Sequence, residues 1–377
     1  MTAPPDAAMP APAVLGRHHR PVLVTGGAGF IGANLAERLA REGHDVLVYD
    51  ALLRPGVETN LAWLRARHPA RVSAAVADIR DATALEAAVR DAGAVFHLAA
   101  QVAVTTSLAD PREDFDVNLR GTFLLLDAVR RRGLRAPVIF ASTNKVYGDM
   151  AEVALDLHDE AYAPRAEAVR AHGIGEDRPL DFHTPYGCSK GVADQYVLDY
   201  SRSFGLNTAV LRMSCIYGPR QFGTEDQGWV AHFLIRALRG ETITIYGDGR
   251  QVRDILHVAD AVDAYLAVLD RIDAVSGRAF NLGGGPRNAV SLLMLLKDIE
   301  RLIGRPVSVE FADWRTGDQL YFVADTRRLE AAVGWRAKIG WRQGVAHLAE
   351  WLDANRALVK IPSGKLAAAH AGERARA

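Results

Sequence analysis

The segment that decides the fold comprises residues 22–32 and reads VLVTGGAGFIG. It begins with a short apolar run typical of a buried strand, passes through a group of glycines, and leads into residues 33–41, which have helical period. Glycines at this spacing permit a tight turn, a close approach of backbone amides to a pyrophosphate, and close packing of the helix. The segment therefore predicts a strand–turn–helix unit that binds a dinucleotide at the helix N-terminus. The predicted contacts are Gly26, Gly29, Phe30, Ile31 and Gly32.

An acidic residue beyond this unit indicates which dinucleotide is bound. Asp50 closes the second predicted strand, where its carboxylate can accept hydrogen bonds from both hydroxyls of an adenosine ribose. The same negative charge would repel a 2′-phosphate, so NAD is favoured over NADP as the cofactor. The alternative is that Asp50 only caps the turn that follows the strand.

The rest of the chain repeats the alternation of short apolar runs with longer segments of helical period. This pattern is typical of strand–helix units around a parallel sheet. We predict an α/β fold, a Rossmann-type doubly wound parallel sheet with a smaller C-terminal substrate-binding lobe. The predicted strands are residues 22–25, 46–50, 72–77, 94–99, 138–142 and 208–213.

The domain boundaries are predicted where this alternation of apolar runs and helical segments changes. We expect residues 21–217 to form the NAD-binding domain, with crossover segments added from the C-terminal part, and residues 218–361 to form mainly the smaller lobe. Residues 149–183 are a long insertion, and such connections are usually functional; the alternative is a surface excursion without a role. Residues 1–20 and 362–377 have no apolar periodicity, which predicts terminal tails.

Composition excludes several classes of protein. The 45 basic and 45 acidic side chains cancel, so no global basic field attracts nucleic acid or an anionic membrane. No run of about 18 apolar residues occurs and no secretory signal is visible, so we expect a cytoplasmic protein without membrane spans.

Cys188 and Cys215 form no metal or disulfide pattern, and Cys188 is expected to pack against its surroundings. His97 is expected to be a core histidine, and no metal site is predicted.

Three polar residues beyond the fifth predicted strand are candidates for catalysis. Thr143 follows that strand, and Tyr186 and Lys190 follow the insertion at positions i and i+4, which share one face of a helix. A nearby cation favours a phenolate. Together with a nicotinamide cation, Lys190 is expected to lower the pKa of Tyr186 from near 10 to about 7. The alternative is an ordinary surface pair on a helix.

Taken together, the glycine spacing, Asp50, Thr143 and the Tyr186–Lys190 pair resemble the extended short-chain dehydrogenase/reductase family of nucleotide-sugar enzymes. The resemblance implies that Thr143 hydrogen-bonds the reacting hydroxyl and that Tyr186 is the acid/base. It also implies that Lys190 holds the nicotinamide ribose and that the enzyme is a homodimer or homotetramer. Further cofactor contacts are expected from Asp78, Ile79, Leu98, Ala99, Ala100, Gln101, Asn118, Ser142 and Met213.

The residues after Thr143 narrow the reaction. Relatives that dehydrate the sugar carry an Asp-Glu pair where this chain has Asn144 and Lys145, so dehydration is disfavoured. Residues 142–147, 181–183, 101–107 and 217–230 resemble the CDP-tyvelose 2-epimerase group of the family. That resemblance implies inversion of C2 of a CDP-hexose through a transient 2-keto intermediate, with hydride returned from bound NADH. The alternatives are a UDP-sugar 4-epimerase and a non-catalytic NAD-binding scaffold.

The same resemblance suggests where a nucleotide sugar would bind. Arg253 and Arg315 are expected to meet the diphosphate, because a guanidinium pairs well with phosphate; surface ion pairs are the alternative. Many relatives have an asparagine at the position of Cys215, so the diphosphate contacts are expected to differ here. Further substrate contacts are expected from Gln101, Ser107, Thr143, Asn144, Arg220, Gln227 and Val230.

Overall fold

The computed structural model describes residues 20–133 and 136–361. The predicted terminal tails, residues 1–20 and 362–377, lie outside the described residues except for Arg20.

A seven-stranded parallel sheet forms the centre of the molecule, in the order β3-β2-β1-β4-β5-β8-β12. Strand order therefore reverses at β1 and β4, as in a doubly wound sheet, and the predicted fold class is confirmed. In chain order the strands are β1 (Val22–Thr25), β2 (Val46–Asp50), β3 (Val72–Val76), β4 (Ala94–His97), β5 (Val138–Thr143), β6 (Leu155–Leu157), β7 (Tyr162–Pro164), β8 (Thr208–Met213), β9 (Cys215–Tyr217), β10 (Ile243–Tyr246), β11 (Val252–His257), β12 (Arg278–Leu282), β13 (Ala289–Ser291), β14 (Val309–Ala312) and β15 (Tyr321–Phe322).

Helices cover both faces of this sheet. The apolar residues of α1, α2 and α10 pack on one face, and those of α3, α6 and α8 pack on the other. Burial on both faces explains why the central strands are continuous apolar runs rather than alternating ones. In chain order the helices are α1 (Phe30–Arg41), α2 (Val57–Arg67), α3 (Ala82–Val89), α4 (Val104–Ala109), α5 (Pro111–Phe115), α6 (Gly121–Arg131), α7 (Glu167–His172), α8 (Thr184–Phe204), α9 (Trp229–Arg239), α10 (Val258–Asp270), α11 (Ile272–Val275), α12 (Leu292–Ile303), α13 (Arg327–Val333) and α14 (Trp341–Ala354).

A second core belongs to the C-terminal lobe. Apolar residues of α9, α12 and α14 pack together with those of β10, β11 and β13. Strand β11 pairs with β9, β13 and β15, while β10 pairs with β14. The chain between these segments returns to the large sheet as α10 and β12, so the two halves are interleaved rather than joined by one linker.

The insertion at residues 149–183 contains the β6–β7 hairpin and α7, and it packs on the C-terminal lobe. The amide of Tyr162 donates to the carbonyl of Arg250 at 3.0 Å, and that of Ile174 donates to Val323 at 2.7 Å. Leu155 and Val169 pack beside Val323. The insertion therefore helps to fix the lobe relative to the sheet.

The histidine and cysteine predictions have different outcomes. His97 is buried between Thr25 and Thr122, 2.7 and 3.0 Å from their hydroxyl oxygens, which confirms it as a core residue. Cys188 is exposed on α8, so the expectation that it packs is wrong; a helix this long turns one face to solvent. Among the described residues there is no helix long and apolar enough to cross a membrane.

Candidate active site

A cavity of about 1050 Å³ lies between the carboxyl ends of the central strands and the C-terminal lobe. This edge of an open α/β sheet is where ligands bind, because the strand order reverses there and leaves a crevice. Its lining includes most of the predicted contacts. They are Gly26, Gly29, Phe30, Ile31, Gly32, Asp50, Asp78, Ile79, Leu98, Ala99, Ala100, Gln101, Ser142, Thr143, Asn144, Tyr186, Met213, Gln227, Val230, Arg253 and Arg315.

The glycine turn has no room for a side chain at Gly26, Gly27 or Gly32. Gly26 has a φ of +67°, and a Cβ there would lie 2.7 Å from the amide nitrogen of Ala99. A Cβ on Gly32 would lie 2.2 Å from the carbonyl oxygen of Gly26. The turn and the first turn of α1 therefore pack backbone against backbone, which only glycine allows.

The start of α1 fits the pyrophosphate of a dinucleotide. The helix is capped by Gly29, which offers no side chain to its first amides, and its first turn contains no acidic residue. A Cβ on Gly29 would meet within 4 Å only the Gly26 carbonyl in the described chain, at 3.1 Å, so the cradle is open on the cavity side. Uncapped amides at the positive end of a helix attract an anion, and the glycine lets that anion come close.

Asp50 caps the turn after β2 and also lines the cavity. Its carboxylate accepts hydrogen bonds from the amides of Ala28, at 3.0 Å, and Leu52, at 2.9 Å, and it lines the cavity. These bonds hold the carboxylate at the end of β2, where a ribose would lie. Asp78, at the end of the next strand, accepts hydrogen bonds from Arg80, which lowers the pKa of its carboxyl.

Thr143 and Tyr186 meet in the cavity. Thr143 ends β5, and Tyr186 lies in the first turn of α8, so the sheet and the helix bring the two side chains together. Burial raises the pKa of Tyr186 to about 12, the hydrogen bond with Thr143 opposes this, and the Asp114 carboxylate adds to it. Burial thus acts against the lowering predicted for Lys190 together with a nicotinamide cation, because removal from water disfavours the phenolate.

Lys190 is buried and lies outside the cavity lining. Its ammonium is 4.1 Å from the centre of the Phe140 ring. Burial lowers the pKa of Lys190 to about 7, although the nearby carboxylates of Asp194 and Asp114 favour the charged form. Lys190 shares a helix face with Tyr186 as predicted, but in this structure the ammonium rests on an aromatic ring.

Three further predicted contacts also lie outside the lining, within the described part of the chain: Ser107, Asn118 and Arg220. The buried Ser107 hydroxyl accepts from the amide of Tyr186 at 3.2 Å. Asn118 accepts from the amide of Gln101 at 2.9 Å and donates to its carbonyl. Their polar atoms are buried and partnered within the protein, so in this structure they support the site, and their ligand contacts stay a prediction.

Arg220 is also turned away from the cavity. Its guanidinium lies 3.8 Å from the centre of the Trp63 ring and 5.6 Å from that of Trp351. The guanidinium stacks on both rings, so Arg220 joins the lobe to α2, and its predicted substrate contact stays a prediction.

The two predicted diphosphate arginines line the cavity, each paired with a carboxylate. Arg253 donates to Asp318 at 2.6 Å and is almost fully buried. Arg315 pairs with Glu225 at 3.0 Å, and its guanidinium lies 3.8 Å from the centre of the Tyr246 ring. Each of these arginines therefore forms an ion pair and also lines the cavity.

Sequence reasoning missed several residues that organise the site. Asp318 binds Arg253, and the buried Asp114 accepts hydrogen bonds from Gln101, Asn118 and Ser189. Lys145 lines the cavity and donates from Nζ to the carbonyl of Gly317 at 3.0 Å. Asp318 lies three residues after Arg315, and this proximity in the sequence could have indicated that it belongs to the site. No local sequence pattern marks Asp114.

Cys215 lines the cavity at the position where the family resemblance predicts different diphosphate contacts. Its thiol accepts a hydrogen bond from the Trp229 indole at 3.4 Å, and burial raises its pKa. The thiol is therefore neutral and already partnered, which leaves little capacity to bind a phosphate oxygen.

Comparison with known proteins agrees with this geometry. The CDP-paratose 2-epimerase of Salmonella typhi is 40% identical over 339 residues, which are 88% of this chain and 99% of that protein. The UDP-glucose 4-epimerase of Mycolicibacterium smegmatis is 33% identical over 87% of this chain and 97% of its own. The structure of Thermus thermophilus UDP-glucose 4-epimerase complexed with NAD has a TM-score of 0.73 and 32% identity, covering 88% of this chain and 98% of that one.

These similarities confirm three predictions: the resemblance itself, NAD as the cofactor, and an NAD-dependent nucleotide-sugar epimerase as the kind of enzyme. A family model also matches residues 22–283, a span that contains the glycine turn, Asp50, Thr143 and Tyr186. The chain thus belongs to the NAD dependent epimerase/dehydratase family.

Proposed function

We propose that this enzyme inverts C2 of a CDP-linked hexose. The observation that carries the proposal is the 40% identity to a CDP-paratose 2-epimerase over nearly the full length of both chains. The site chemistry supports it. Asn144 and Lys145 follow Thr143 in the cavity, where a dehydration would need an acid and a base to remove water from the sugar.

Tyr186 is the acid/base of the proposed reaction. Its phenol faces the cavity next to Thr143, so a sugar hydroxyl between the two oxygens can be oriented by Thr143 and exchange its proton with Tyr186. NAD, which the glycine turn and Asp50 would hold, would supply a reversible hydride acceptor, so the proposed reaction has no net redox change. Inversion then requires the sugar ring to present its other face while the diphosphate stays bound.

The lobe supplies the groups that hold the diphosphate. Arg253 and Arg315 are the guanidinium groups proposed for this role, and Lys145 adds a third cationic side chain at the same wall of the cavity. Gln227 and Val230 line the same cavity and are proposed substrate contacts. The phosphates would replace the carboxylates of Asp318 and Glu225 as partners of the two arginines.

The test is incubation of the NAD-loaded enzyme with CDP-linked 6-deoxy or dideoxy hexoses, followed by NMR of the sugar. Inversion at C2 without accumulation of NADH is expected, and steady NADH formation contradicts the proposal.

Tyr186→Phe is expected to lower kcat by about 1000-fold, the usual scale of acid–base catalysis, while NAD stays bound. Unchanged turnover in this variant contradicts the role of Tyr186.

A second candidate function is 4-epimerisation of a UDP-sugar. It is favoured by the 33% identity to a UDP-glucose 4-epimerase, and because Thr143 and Tyr186 do not determine which hydroxyl is presented to them. UDP-glucose tested beside the CDP-sugars separates the two functions. A non-catalytic scaffold is disfavoured, since Thr143, Tyr186 and Lys190 are all present, and turnover of either sugar eliminates it.

We also propose that the enzyme is a homodimer formed through α5, α6 and α8. Four aromatic side chains on these helices are 40–52% exposed: Phe115, Phe123, Tyr196 and Phe204. Exposed aromatic clusters on paired helices favour association. Sedimentation should give twice the chain mass, and Phe123→Asp combined with Tyr196→Lys should give the monomer. A monomeric wild-type protein contradicts the proposal.

A further inference from the structure

A buried asparagine bridges the glycine turn and the C-terminal lobe. Asn60, on α2, is 1% exposed and donates from Nδ2 to the carbonyl of Ala28 at 3.1 Å. The same NH₂ group donates to the carbonyl of Arg220 at 3.3 Å. Ala28 lies within the glycine turn, and Arg220 lies in the lobe loop, residues 218–228, which leads from β9 to α9. One amide group therefore joins the cofactor half of the cavity to the lobe half.

A second asparagine repeats this arrangement from α1. Asn34 donates from Nδ2 to the carbonyl of Phe30 at 2.9 Å and to that of Pro219 at 3.0 Å. Phe30 begins α1 and lines the cavity. Pro219 directly precedes Arg220, so two neighbouring carbonyls of the lobe loop are each bonded to an asparagine that also bonds the cofactor segment.

The direction of these bonds is fixed by the partners. A backbone carbonyl only accepts, so each asparagine must turn its NH₂ group toward its two carbonyls. The oxygen of Asn60 is then buried, and it has no hydrogen-bond partner among the described residues. Such an oxygen is costly, and the other buried residues of α2 are the apolar Val57, Leu61 and Leu64. The bridge, rather than local packing, therefore explains an asparagine at this position.

The bonded part of the lobe loop has an unusual backbone. Arg220 has a φ of +72°, in the left-handed region that residues with a side chain rarely adopt. Such a conformation persists only where its surroundings fix it. The bond from Asn60 and the stacking of the Arg220 guanidinium on Trp63, at 3.8 Å, supply that restraint. The position of the lobe loop therefore depends on contacts with α2.

The lobe loop leads directly to the proposed substrate contacts. Gln221 follows Arg220, is buried and lines the cavity. A Cβ on Gly228 would lie 2.6 Å from Gln221 Nε2, so the two ends of the loop are tightly packed. Gly228 lies between Gln227 and α9, and α9 contributes Val230 to the cavity. A displacement of Arg220 is therefore passed to the cavity wall.

We propose that Asn34 and Asn60 are positioning residues that couple the two ligands, so that NAD and the nucleotide of the substrate each bind more tightly when the other is present. Ala28 is held at its amide by Asp50, at 3.0 Å, and at its carbonyl by Asn60. A ligand that fixes the glycine turn thus also fixes the lobe loop, and the coupling must be reciprocal. The inference rests on the proposed function, because it takes the lobe loop as part of the nucleotide-sugar site.

The experiment measures the NAD affinity of the full-length enzyme by equilibrium dialysis, without nucleotide and with saturating CDP. The ratio of the two dissociation constants is the coupling, and CDP is expected to tighten NAD binding about tenfold in the wild type. Asn34→Leu and Asn60→Leu keep the approximate size of the side chain and remove its donors. Each is expected to lower the ratio to about threefold, the scale of one hydrogen bond, and the double variant to about one.

A matched control separates this effect from simple loosening of the lobe loop. Trp63→Leu removes the stacking on Arg220 but leaves both asparagines and their carbonyl partners in place. It should keep the tenfold ratio, even if both ligands bind more weakly. A wild-type ratio near one overturns the proposal, as does an unchanged ratio in the asparagine variants or an equal fall in Trp63→Leu. Should Asn60→Leu not fold, the partly buried Asn34 supplies the deciding variant.

Binding needs no turnover, so the coupling is independent of which carbon is inverted. UDP replaces CDP in a parallel dialysis. If only UDP tightens NAD binding, and does so through the asparagines, the proposed CDP-sugar function fails and the role of Asn34 and Asn60 stands. If CDP-sugars are epimerised but neither asparagine changes the ratio, the role of the asparagines fails alone.

Discussion

The two halves of the cavity offer an anion different kinds of partner. In the cofactor half, the start of α1 presents backbone amides with no capping side chain and no acidic residue in the first turn. In the lobe half, Arg253 and Arg315 present full positive charges, but Asp318 and Glu225 already bind them. One half is ready for an anion, whereas under the proposed function the other would exchange a carboxylate for a phosphate.

This difference shows how a chain with no net charge can bind two diphosphates. Backbone amides need no counter-ion, because their partial charges are part of the helix. Free guanidinium groups in a partly buried cavity would repel one another, and carboxylates from neighbouring loops relieve that cost until a ligand arrives. Binding in the lobe half should therefore depend on side-chain charges, and binding in the cofactor half on backbone shape.

The largest expected effect comes from adding one carbon to the cofactor half. In Gly32→Ala the new Cβ would meet the Gly26 carbonyl oxygen at 2.2 Å, so the turn must open. We expect NAD affinity to fall at least 100-fold, measured as NAD released from the purified protein and by calorimetry. Gly29→Ala, whose Cβ would lie 3.1 Å from the same oxygen, is the matched control and should lose about tenfold. Equal losses would contradict the backbone-packing argument.

In the lobe half, removing Arg253 and removing its partner should have opposite effects. Arg253→Met should weaken binding of CDP about 30-fold, since a buried charged hydrogen bond to phosphate is lost. Asp318→Asn removes the competing carboxylate and should strengthen binding several-fold. Calorimetry with CDP checks both. Weaker binding in Asp318→Asn would mean that Asp318 orients Arg253 for the ligand instead of competing with it.

A smaller loss is expected at Arg315, which is more exposed than Arg253. Arg315→Gln should weaken CDP binding about fivefold, because exposed ion pairs are screened by water and salt. The loss should shrink when the salt concentration is raised, whereas the loss in Arg253→Met should persist. If the loss of CDP affinity in Arg315→Gln does not depend on salt, the expected difference between the exposed Arg315 and the buried Arg253 is contradicted.

The smallest effect is a pH dependence from Lys145. Burial, with help from Arg253, lowers the pKa of Lys145 to about 8, so the side chain is an ammonium below that pH and neutral above it. Affinity for CDP should therefore fall about twofold as the pH rises through 8. Lys145→Met should bind as the wild type does at high pH and lack this step. If CDP affinity in Lys145→Met also falls as the pH rises through 8, the pH dependence comes from another titrating group.

Local motifs were predicted from the sequence with good accuracy. All six predicted strands are present, and the glycine turn, Asp50, Thr143 and Tyr186 all reach the cavity. Each of these positions follows from steric rules that act over a few residues, or from the fact that parallel strands end at one edge of a sheet. Ser107 and Asn118 lie outside the cavity lining, because a polar residue near a site is as easily buried with a protein partner.

The half of the site that is built from contiguous residues follows from local sequence alone. Local sterics fix the conformation of the turn between β1 and α1. That conformation presents backbone amides to an anion without help from distant parts of the chain. Tertiary structure alone decided the other half. Arg253 and Asp318 are 65 residues apart, and Asn144 and Gln319 are 175 apart. Hydrogen bonds and ion pairs depend on distances of a few tenths of an ångström, which only the packing of the lobe against the sheet sets.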